Sequence, residues 1–259
     1  MLPDALLTDC HAHLADERLS NRLPEVLRRC VGMGGVVVNA ARKADWSRIG
    51  RMMEDVPTLR GAAGIHPWFA AEWTGDFSQV IENQLLVNHE RWVAIGEVGL
   101  DFVVETPCRQ IQLEVAAAQL ELATRHSLPV CLHVRKAWSA FFDLLKTLGL
   151  SSLKGYCHNF TGSRETARRL LDTGLHLSFG GQLTWPEARR AREAAIYVPA
   201  DSILVETDCP DLPSFSHKGE PSLPWHVAET LECMAGLRHM AAETLAQQVL
   251  QNFHRLFHR

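Results

Sequence analysis

Near its amino end the chain reads Leu6-Leu7-Thr8-Asp9-Cys10-His11-Ala12-His13. The apolar start of this stretch is typical of a short buried β-strand, and the two histidines follow it directly. Side chains two residues apart in a strand point to the same side, so His11 and His13 can contact one ion together. The stretch therefore predicts a first strand whose carboxyl end carries metal ligands.

Further apolar runs alternate with helical patterns along the rest of the chain. The predicted strands cover residues 6–9, 35–39, 59–64, 92–97, 128–133, 154–158, 175–179 and 202–208, and the clearest helical patterns cover 22–30, 109–126, 225–237 and 241–257. Repeated βα units without a polar linker favour one α/β domain, a (β/α)8 TIM barrel over residues 1–259. The competing fold is an open doubly wound sheet, which would spread the candidate ligands along one edge.

Four more candidate metal ligands fall at the ends of later strands: Glu97, His133, His158 and Asp208. The intervals between them correspond to whole βα units, which places them at the carboxyl-terminal rim, where barrel enzymes carry their chemistry. Each histidine alone is better explained as a hydrogen-bonded core residue, and the glycine-flanked glutamate as an ordinary turn. Together with His11 and His13 they exceed the needs of one ion, so the set predicts a two-metal hydrolytic centre.

The bulk composition narrows the possible functions. The chain has 259 residues and a net charge of -4, which disfavours nonspecific wrapping of nucleic acid but leaves room for a local basic patch. No signal peptide and no stretch of membrane-spanning length is recognisable, and the seven scattered cysteines form no CxxC pair. These features predict a cytoplasmic protein with reduced thiols, no membrane contact and no obligate protein partner.

Seven short motifs distributed over essentially the whole chain carry a family resemblance. They are Asp9-Cys10-His11-Ala12-His13, Gly64-Ile65-His66-Pro67, Gly96-Glu97-Val98-Gly99-Leu100-Asp101, Leu132-His133-Val134-Arg135, His158-Asn159-Phe160-Thr161-Gly162-Ser163, Glu206-Thr207-Asp208-Cys209-Pro210 and Gln251-Asn252-Phe253. With these motifs the chain resembles the TatD family of metal-dependent deoxyribonucleases, a branch of the amidohydrolase-like TIM barrels, and within it the YjjV-like members.

The resemblance implies a division of the ligands between two divalent metal ions. His11, His13 and Asp208 would hold the first ion, His133 and His158 the second, and Glu97 would bridge them. The imidazole-rich set favours Zn, Mn or Fe on grounds of ligand softness, whereas the related enzymes are often assayed with Mg. The cofactor predicted from the sequence is therefore a pair of divalent ions whose identity, Zn, Mn or Mg, stays open.

Glu97 and Asp208 are the candidate catalytic residues. Two ions on one carboxylate would share a water and lower its pKa from about 16 toward ~7. Asp208 would orient that nucleophile and take its proton. The predicted reaction is hydrolysis of phosphodiester bonds in DNA by a 3'-5' exonuclease-like deoxyribonuclease, with single strands or 3' ends as the candidate substrates.

His66 and Arg135 are the candidate substrate-binding residues. His66 lies at the end of the third strand, where it could contact a phosphate or have a structural role in the turn. The guanidinium of Arg135 matches phosphate oxygens in a fork. Lys136 and Arg164 could extend a positive rim, but surface charge is their default interpretation. Trp68 and Phe69 could stack on a base or cover the barrel mouth.

Three rival functions share this framework. The same centre could hydrolyse small esters, amides or lactones, or deacylate D-aminoacyl-tRNA. A barrel that has lost turnover and serves as a binding protein is disfavoured, because the ligands at all six positions are intact. The run Arg189-Arg190-Ala191-Arg192 is most simply interpreted as a solvated helix face.

Overall fold

The computed structural model describes residues 2–87 and 90–258, and in it eight parallel strands pair in chain order from β1 to β8. The strands are β1 Thr8–Ala12, β2 Gly35–Asn39, β3 Leu59–Ala63, β4 Trp92–Asp101, β5 Val130–Arg135, β6 Gly155–Cys157, β7 His176–Phe179 and β8 Ile203–Val205. Most of their residues are buried, as expected where helices cover the outer face of a parallel barrel. The predicted TIM-barrel fold is thus confirmed.

Helices alternate with the strands and form the outer layer. They are α1 Leu23–Cys30, α2 Lys43–Asp55, α3 Phe77–Leu86, α4 Arg109–Arg125, α5 Trp138–Thr147, α6 Arg164–Asp172, α7 Arg189–Tyr197, α8 Val227–Leu237 and α9 Ala242–Phe257. Among the residues that the structure describes, no helix combines the length and the apolar character needed to span a bilayer.

The barrel closes between β1 and β8 through contacts that extend past the end of β8. The His13 N–H donates to Cys209 O at 2.7 Å, and the Asp208 N–H donates to His11 O at 2.9 Å. Below them the buried Asp9 carboxylate accepts from the Thr207 N–H at 3.0 Å. These bonds fix the first histidine pair and Asp208 side by side.

Three predicted strand ends are wrong by three residues or more, all at the functional end of the barrel. β1 ends at Ala12 and so contains His11, which was predicted to follow the strand. β4 does not end at Glu97 but continues to Asp101, and its register with β5 shifts between Ile95 and Val98. β8 ends at Val205, so Asp208 lies beyond the strand, in the left-handed region with φ 58°. The irregular backbone within β4 and after β8 is a local departure from simple strand alternation.

Helix α9 covers the amino-terminal end of the barrel. Phe253 and Phe257 pack there with Tyr156, whose ring centroid lies 5.8 Å from that of Phe257. A Cβ on Gly35 would approach the Phe253 ring to 2.5 Å, so glycine at the start of β2 makes room for this packing. The opposite, carboxyl-terminal end is left for the candidate ligands.

Two buried glutamines of α4 support the segments at that end. The Gln119 side chain accepts from the Ile65 N–H at 2.8 Å and donates to Ile65 O at 3.0 Å. Gln112 does the same for Asp101, with distances of 2.8 Å and 3.0 Å. Both side chains are fully buried, so each satisfies two backbone groups that water cannot reach. They hold the chain beside His66 and at the end of β4.

Replacing Gln119 by leucine is expected to destabilise the protein. The substitution nearly keeps the volume but leaves the N–H and the C=O of Ile65 without partners, at a cost of about 1–3 kcal/mol for each buried group. We expect the free energy of unfolding to fall by roughly 3 kcal/mol in denaturant titration. The exposed Gln110 on the same helix is the matched control, since its leucine variant loses only a surface contact with Glu114. Equal stability of the two variants would contradict this role.

Candidate functional site

The structure brings all six predicted ligands into one cluster at the carboxyl-terminal end of the barrel. β1 supplies His11, and His13 follows it; β4 and β5 supply Glu97 and His133; His158 follows β6, and Asp208 follows β8. Their side chains are between 0 and 19% exposed. These side chains lie close together because the carboxyl ends of all eight parallel strands meet at one rim of the barrel.

Glu97 stands at the centre of the cluster and its two oxygens face different histidines. Oε2 lies 3.2 Å from His11 Nε2 and 3.3 Å from His13 Nε2. Oε1 lies 2.8 Å from His133 Nδ1 and 3.1 Å from His158 Nε2. One carboxylate therefore connects two pairs of imidazoles.

Asp208 adds a second carboxylate, which lies within ion-pair distance of His13 and His11. Its Oδ1 lies 3.3 Å from His13 Nε2 and 3.6 Å from His11 Nε2. The resemblance implies that Asp208 shares an ion with His11 and His13, but Asp208, His11 and His158 can also direct ligand atoms to one point, so the two implied sets are not separate here. The sets are in close contact, since the His11 and His158 rings stack with centroids 4.1 Å apart.

The glycines around Glu97 make room for protein and not for a ligand. A Cβ on Gly96 would lie 2.6 Å from the Cβ of Cys131, and one on Gly99 would lie 1.9 Å from His133 O. Both contacts are with β5. These glycines therefore allow β4 and β5 to bring Glu97 against His133.

Each of the four candidate histidine ligands has a polar side-chain or backbone atom near the nitrogen that does not face Glu97. The pairs are His11 Nδ1 with Cys131 Sγ at 2.9 Å, His13 Nδ1 with Asn39 O at 3.0 Å, His133 Nε2 with Asp101 Oδ2 at 3.3 Å, and His158 Nδ1 with Glu206 Oε1 at 3.3 Å. Outer partners of this kind orient the ring of a metal-binding histidine and raise its basicity.

Sequence reasoning missed the position of Asp101 in this outer layer. Asp101 is four residues beyond Glu97, so strand alternation could have placed both on one face, had the strand been predicted to its full length. Burial alone would raise the pKa of Asp101, but hydrogen bonds from His133 and the Val103 N–H hold it well below the ordinary value. Glu206, fully buried, accepts from the Asn159 N–H at 2.7 Å and faces His158.

The pKa shifts in the cluster favour an ionised Glu97 beside a positively charged His158. Burial would raise the pKa of Glu97, but Coulombic interaction with the imidazoles of His66, His158 and His11 holds it well below the ordinary value. Burial would lower the pKa of His158, yet Glu97 and Glu206 raise it well above its usual range. Divalent ions would displace such protons and supply the positive charge instead.

The donor set fits divalent metal ions. Glu97 Oε2 is buried and has no hydrogen-bond partner among residues 2–87 and 90–258, although two imidazole nitrogens lie within 3.3 Å. Three groups of side chains, each able to direct three ligand atoms to one point, share these residues: His11, His13 and Glu97; His11, His158 and Asp208; and His66, Glu97 and His133. Imidazole and carboxylate together are typical ligands of zinc and manganese.

His66 also reaches the cluster, as a hydrogen-bond donor. Its Nδ1 accepts from the Trp68 N–H at 3.1 Å, and burial lowers its pKa to about 3. The ring is therefore neutral near pH 7 and carries its proton on Nε2, which lies 3.4 Å from Glu97 Oε1. An N–H in that position can bond an oxygen atom within the site.

Arg135 lies at the rim and outside the cluster. Its side chain is 57% exposed, and its guanidinium lies 3.7 Å from Asp101 Oδ2. Trp68 lies nearby, 47% exposed, with its indole N–H donating to Asp101 at 2.8 Å. Arg164 is directed away from the site onto the Tyr197 ring, 4.3 Å from its centroid.

Comparison with known proteins gives the same family as the motifs. A family model described as TatD related DNase matches residues 8–258, nearly the whole chain. The chain belongs to the TatD family of metal-dependent hydrolases. Among TatD-family relatives, the uncharacterized metal-dependent hydrolase YabD of Bacillus subtilis is 35% identical, over 97% of this chain and 99% of that protein.

Two further relatives bear on fold and substrate. The crystal structure of YjjV, a TatD homologue from Escherichia coli, superposes with a TM-score of 0.90 at 30% identity and covers 98% of both chains. The 3'-5' ssDNA/RNA exonuclease TatD of Erwinia billingiae is 36% identical, over 75% of this chain and 76% of that protein. This chain therefore shares its barrel with a TatD homologue of known structure.

Proposed function

We propose that the cluster binds two divalent metal ions and that the protein hydrolyses phosphodiester bonds of DNA from the 3' end. The observation that carries the proposal is the position of Glu97, whose two oxygens face His11 and His13 on one side and His133 and His158 on the other. A carboxylate shared in this way is typical of two-metal hydrolytic sites. The name of the Erwinia billingiae relative supports a nucleic acid substrate.

Each side chain has a distinct task in this proposal. His11, His13 and Asp208 would hold one ion, His133 and His158 would hold the other, and Glu97 would serve as a ligand to both. When bound, the ions supply Lewis acidity toward a phosphate oxygen and an activated water at neutral pH. Asp208 is the general base: its Oδ1 faces His13, which leaves Oδ2 to accept a proton.

Substrate contacts follow from His66 and Arg135. The His66 Nε2–H is directed at the cluster and donates to a phosphate oxygen bound there. Arg135, exposed at the rim beside Asp101, contacts a neighbouring phosphate through its guanidinium fork. Both contacts are to phosphate rather than to bases, so this part of the site accepts any sequence.

The test is a comparison of substrates with the metal-loaded protein. Single-stranded DNA labelled at its 5' end is incubated with protein that carries Mn²⁺ or Zn²⁺, beside double-stranded DNA, RNA and a panel of small esters and lactones. We expect products that shorten progressively from the 3' end and a loss of cleavage when EDTA removes the metal. Rapid hydrolysis of a small ester with no cleavage of any oligonucleotide would contradict the proposal.

A further inference from the structure

A cavity of about 650 Å³ opens beside the cluster, at the same end of the barrel. The segments that follow β6, β7 and β8 line it, with Thr161 from the first, Gln182 and Trp185 from the second and Pro213 from the third. Thr161 follows His158 closely in the chain, and Pro213 follows Asp208. The cavity therefore continues outward from the strand ends that carry candidate ligands.

Two arginines at the start of α7 give the cavity a positive wall. Arg189 and Arg190 are exposed and line it, and within the described part of the chain neither has a carboxylate at ion-pair distance. Glu187 also lines the cavity and contributes one opposing charge. Arg192 differs from its neighbours, because it turns inward and donates to Leu183 O and Thr184 O at 3.2 Å each.

The arginine run is thus more than a solvated helix face. Arg192 holds the segment after β7 in place, whereas Arg189 and Arg190 are exposed and line the cavity. Guanidinium groups without carboxylate partners are suited to phosphate, which they bind in a fork.

An aromatic surface lies against the same cavity. The indole N–H of Trp185 donates to Pro213 O at 2.9 Å, and the Phe215 ring meets the indole edge-on at 5.5 Å. Lys218 Nζ lies 5.5 Å from the centre of the indole ring. Trp185 is only partly buried, so part of its surface stays open. The hydrogen bond and the edge-on ring fix the indole plane before any ligand binds.

An aromatic plane next to unpaired arginines is the combination that single-stranded nucleic acid uses, because bases stack on the ring and phosphates contact the cations. We propose that this cavity binds the part of a single strand that extends beyond the hydrolysed bond, with a base on Trp185 and adjacent phosphates on Arg189 and Arg190. The inference rests on the proposed nuclease function and names where that substrate is held.

The experiment measures binding separately from cleavage. Fluorescein-labelled (dT)10 is titrated with metal-loaded protein carrying Asp208→Asn, which keeps the strand intact, and anisotropy gives the Kd. We expect Trp185→Ala to weaken binding about 10-fold or more and Trp185→Phe to restore most of the affinity. The double variant Arg189→Ala/Arg190→Ala should weaken binding and reduce the slope of log K against log salt by about 1.4.

The matched control removes the same charge elsewhere. Arg28 and Arg51 are exposed on α1 and α2, and their double alanine variant should bind (dT)10 as the parent does. In protein with Asp208 intact, this control variant should hydrolyse bis(p-nitrophenyl) phosphate at the wild-type rate.

The outcomes separate the two proposals. If the wild-type protein cleaves DNA but the cavity variants bind (dT)10 as tightly as the Asp208→Asn protein that they derive from, or the control loses as much, the cavity assignment is overturned and the nuclease function stands. If Trp185 and the arginines govern (dT)10 binding but no oligonucleotide is cleaved, the cavity assignment stands and the nuclease proposal fails. If the Asp208→Asn protein does not bind (dT)10, the cavity assignment is overturned.

Discussion

Turnover is expected to fall by about three orders of magnitude when Glu97 is replaced by glutamine. Glutamine keeps the shape of the side chain but loses the charge, and Glu97 is the one carboxylate within ion-pair distance of both histidine pairs among the described residues. Without it both proposed ions lose a ligand, and the two positive charges are no longer screened from each other. The loss should therefore exceed that from any single histidine.

Two measurements check this expectation: kcat on a DNA substrate and the metal content per chain after dialysis. Both should fall in Glu97→Gln. The matched control is Glu121→Gln on the exposed side of α4, which removes the same charge and should leave both values near those of the wild type. A Glu97→Gln protein that retains two ions and turns over normally would contradict the role of Glu97 as the carboxylate shared by both ions.

Asparagine in place of Asp208 is expected to lower kcat by about 100- to 10,000-fold while the fold persists. Burial would raise the pKa of Asp208, but the hydrogen bond with His13 and the charges of His158 and His11 lower it, so the carboxylate is charged at neutral pH. The backbone at Asp208 has φ 58°, a conformation that asparagine adopts as readily as aspartate. The variant therefore removes the proton acceptor with little backbone strain.

Activity and stability are measured on the same preparation of Asp208→Asn. The melting temperature should stay close to that of the wild type while hydrolysis of DNA is nearly lost at saturating metal. Asp172→Asn, an exposed aspartate at the end of α6, serves as the control for the loss of one charge. Unchanged turnover in the Asp208 variant would refute its role as general base.

Much of this architecture could be predicted because regular features dominate it. The apolar runs marked the eight strands, and the chain order of barrel units placed His11, Glu97, His133 and His158 at one rim. Local pattern was sufficient there, since parallel strands buried on both faces have a strong sequence signal.

The remainder depended on irregular backbone and on contacts distant in sequence. The register shift within β4 extends that strand to Asp101, and the left-handed residue Asp208 lies outside β8, so alternation gave neither boundary correctly. Arg192 donates to carbonyls of the segment after β7, whereas Arg190 lines the cavity, and the helical pattern of α7 does not distinguish the two arginines.

The most direct test of the account is anomalous diffraction from crystals of the wild-type protein grown with excess Mn²⁺ or Zn²⁺. The account predicts two anomalous peaks about 4 Å apart, one on each side of the Glu97 carboxylate. One peak should lie within bonding distance of His11, His13 and Asp208, and the other within bonding distance of His133 and His158. A well-ordered map in which these side chains turn away from one another, with no metal peak between them, would contradict it.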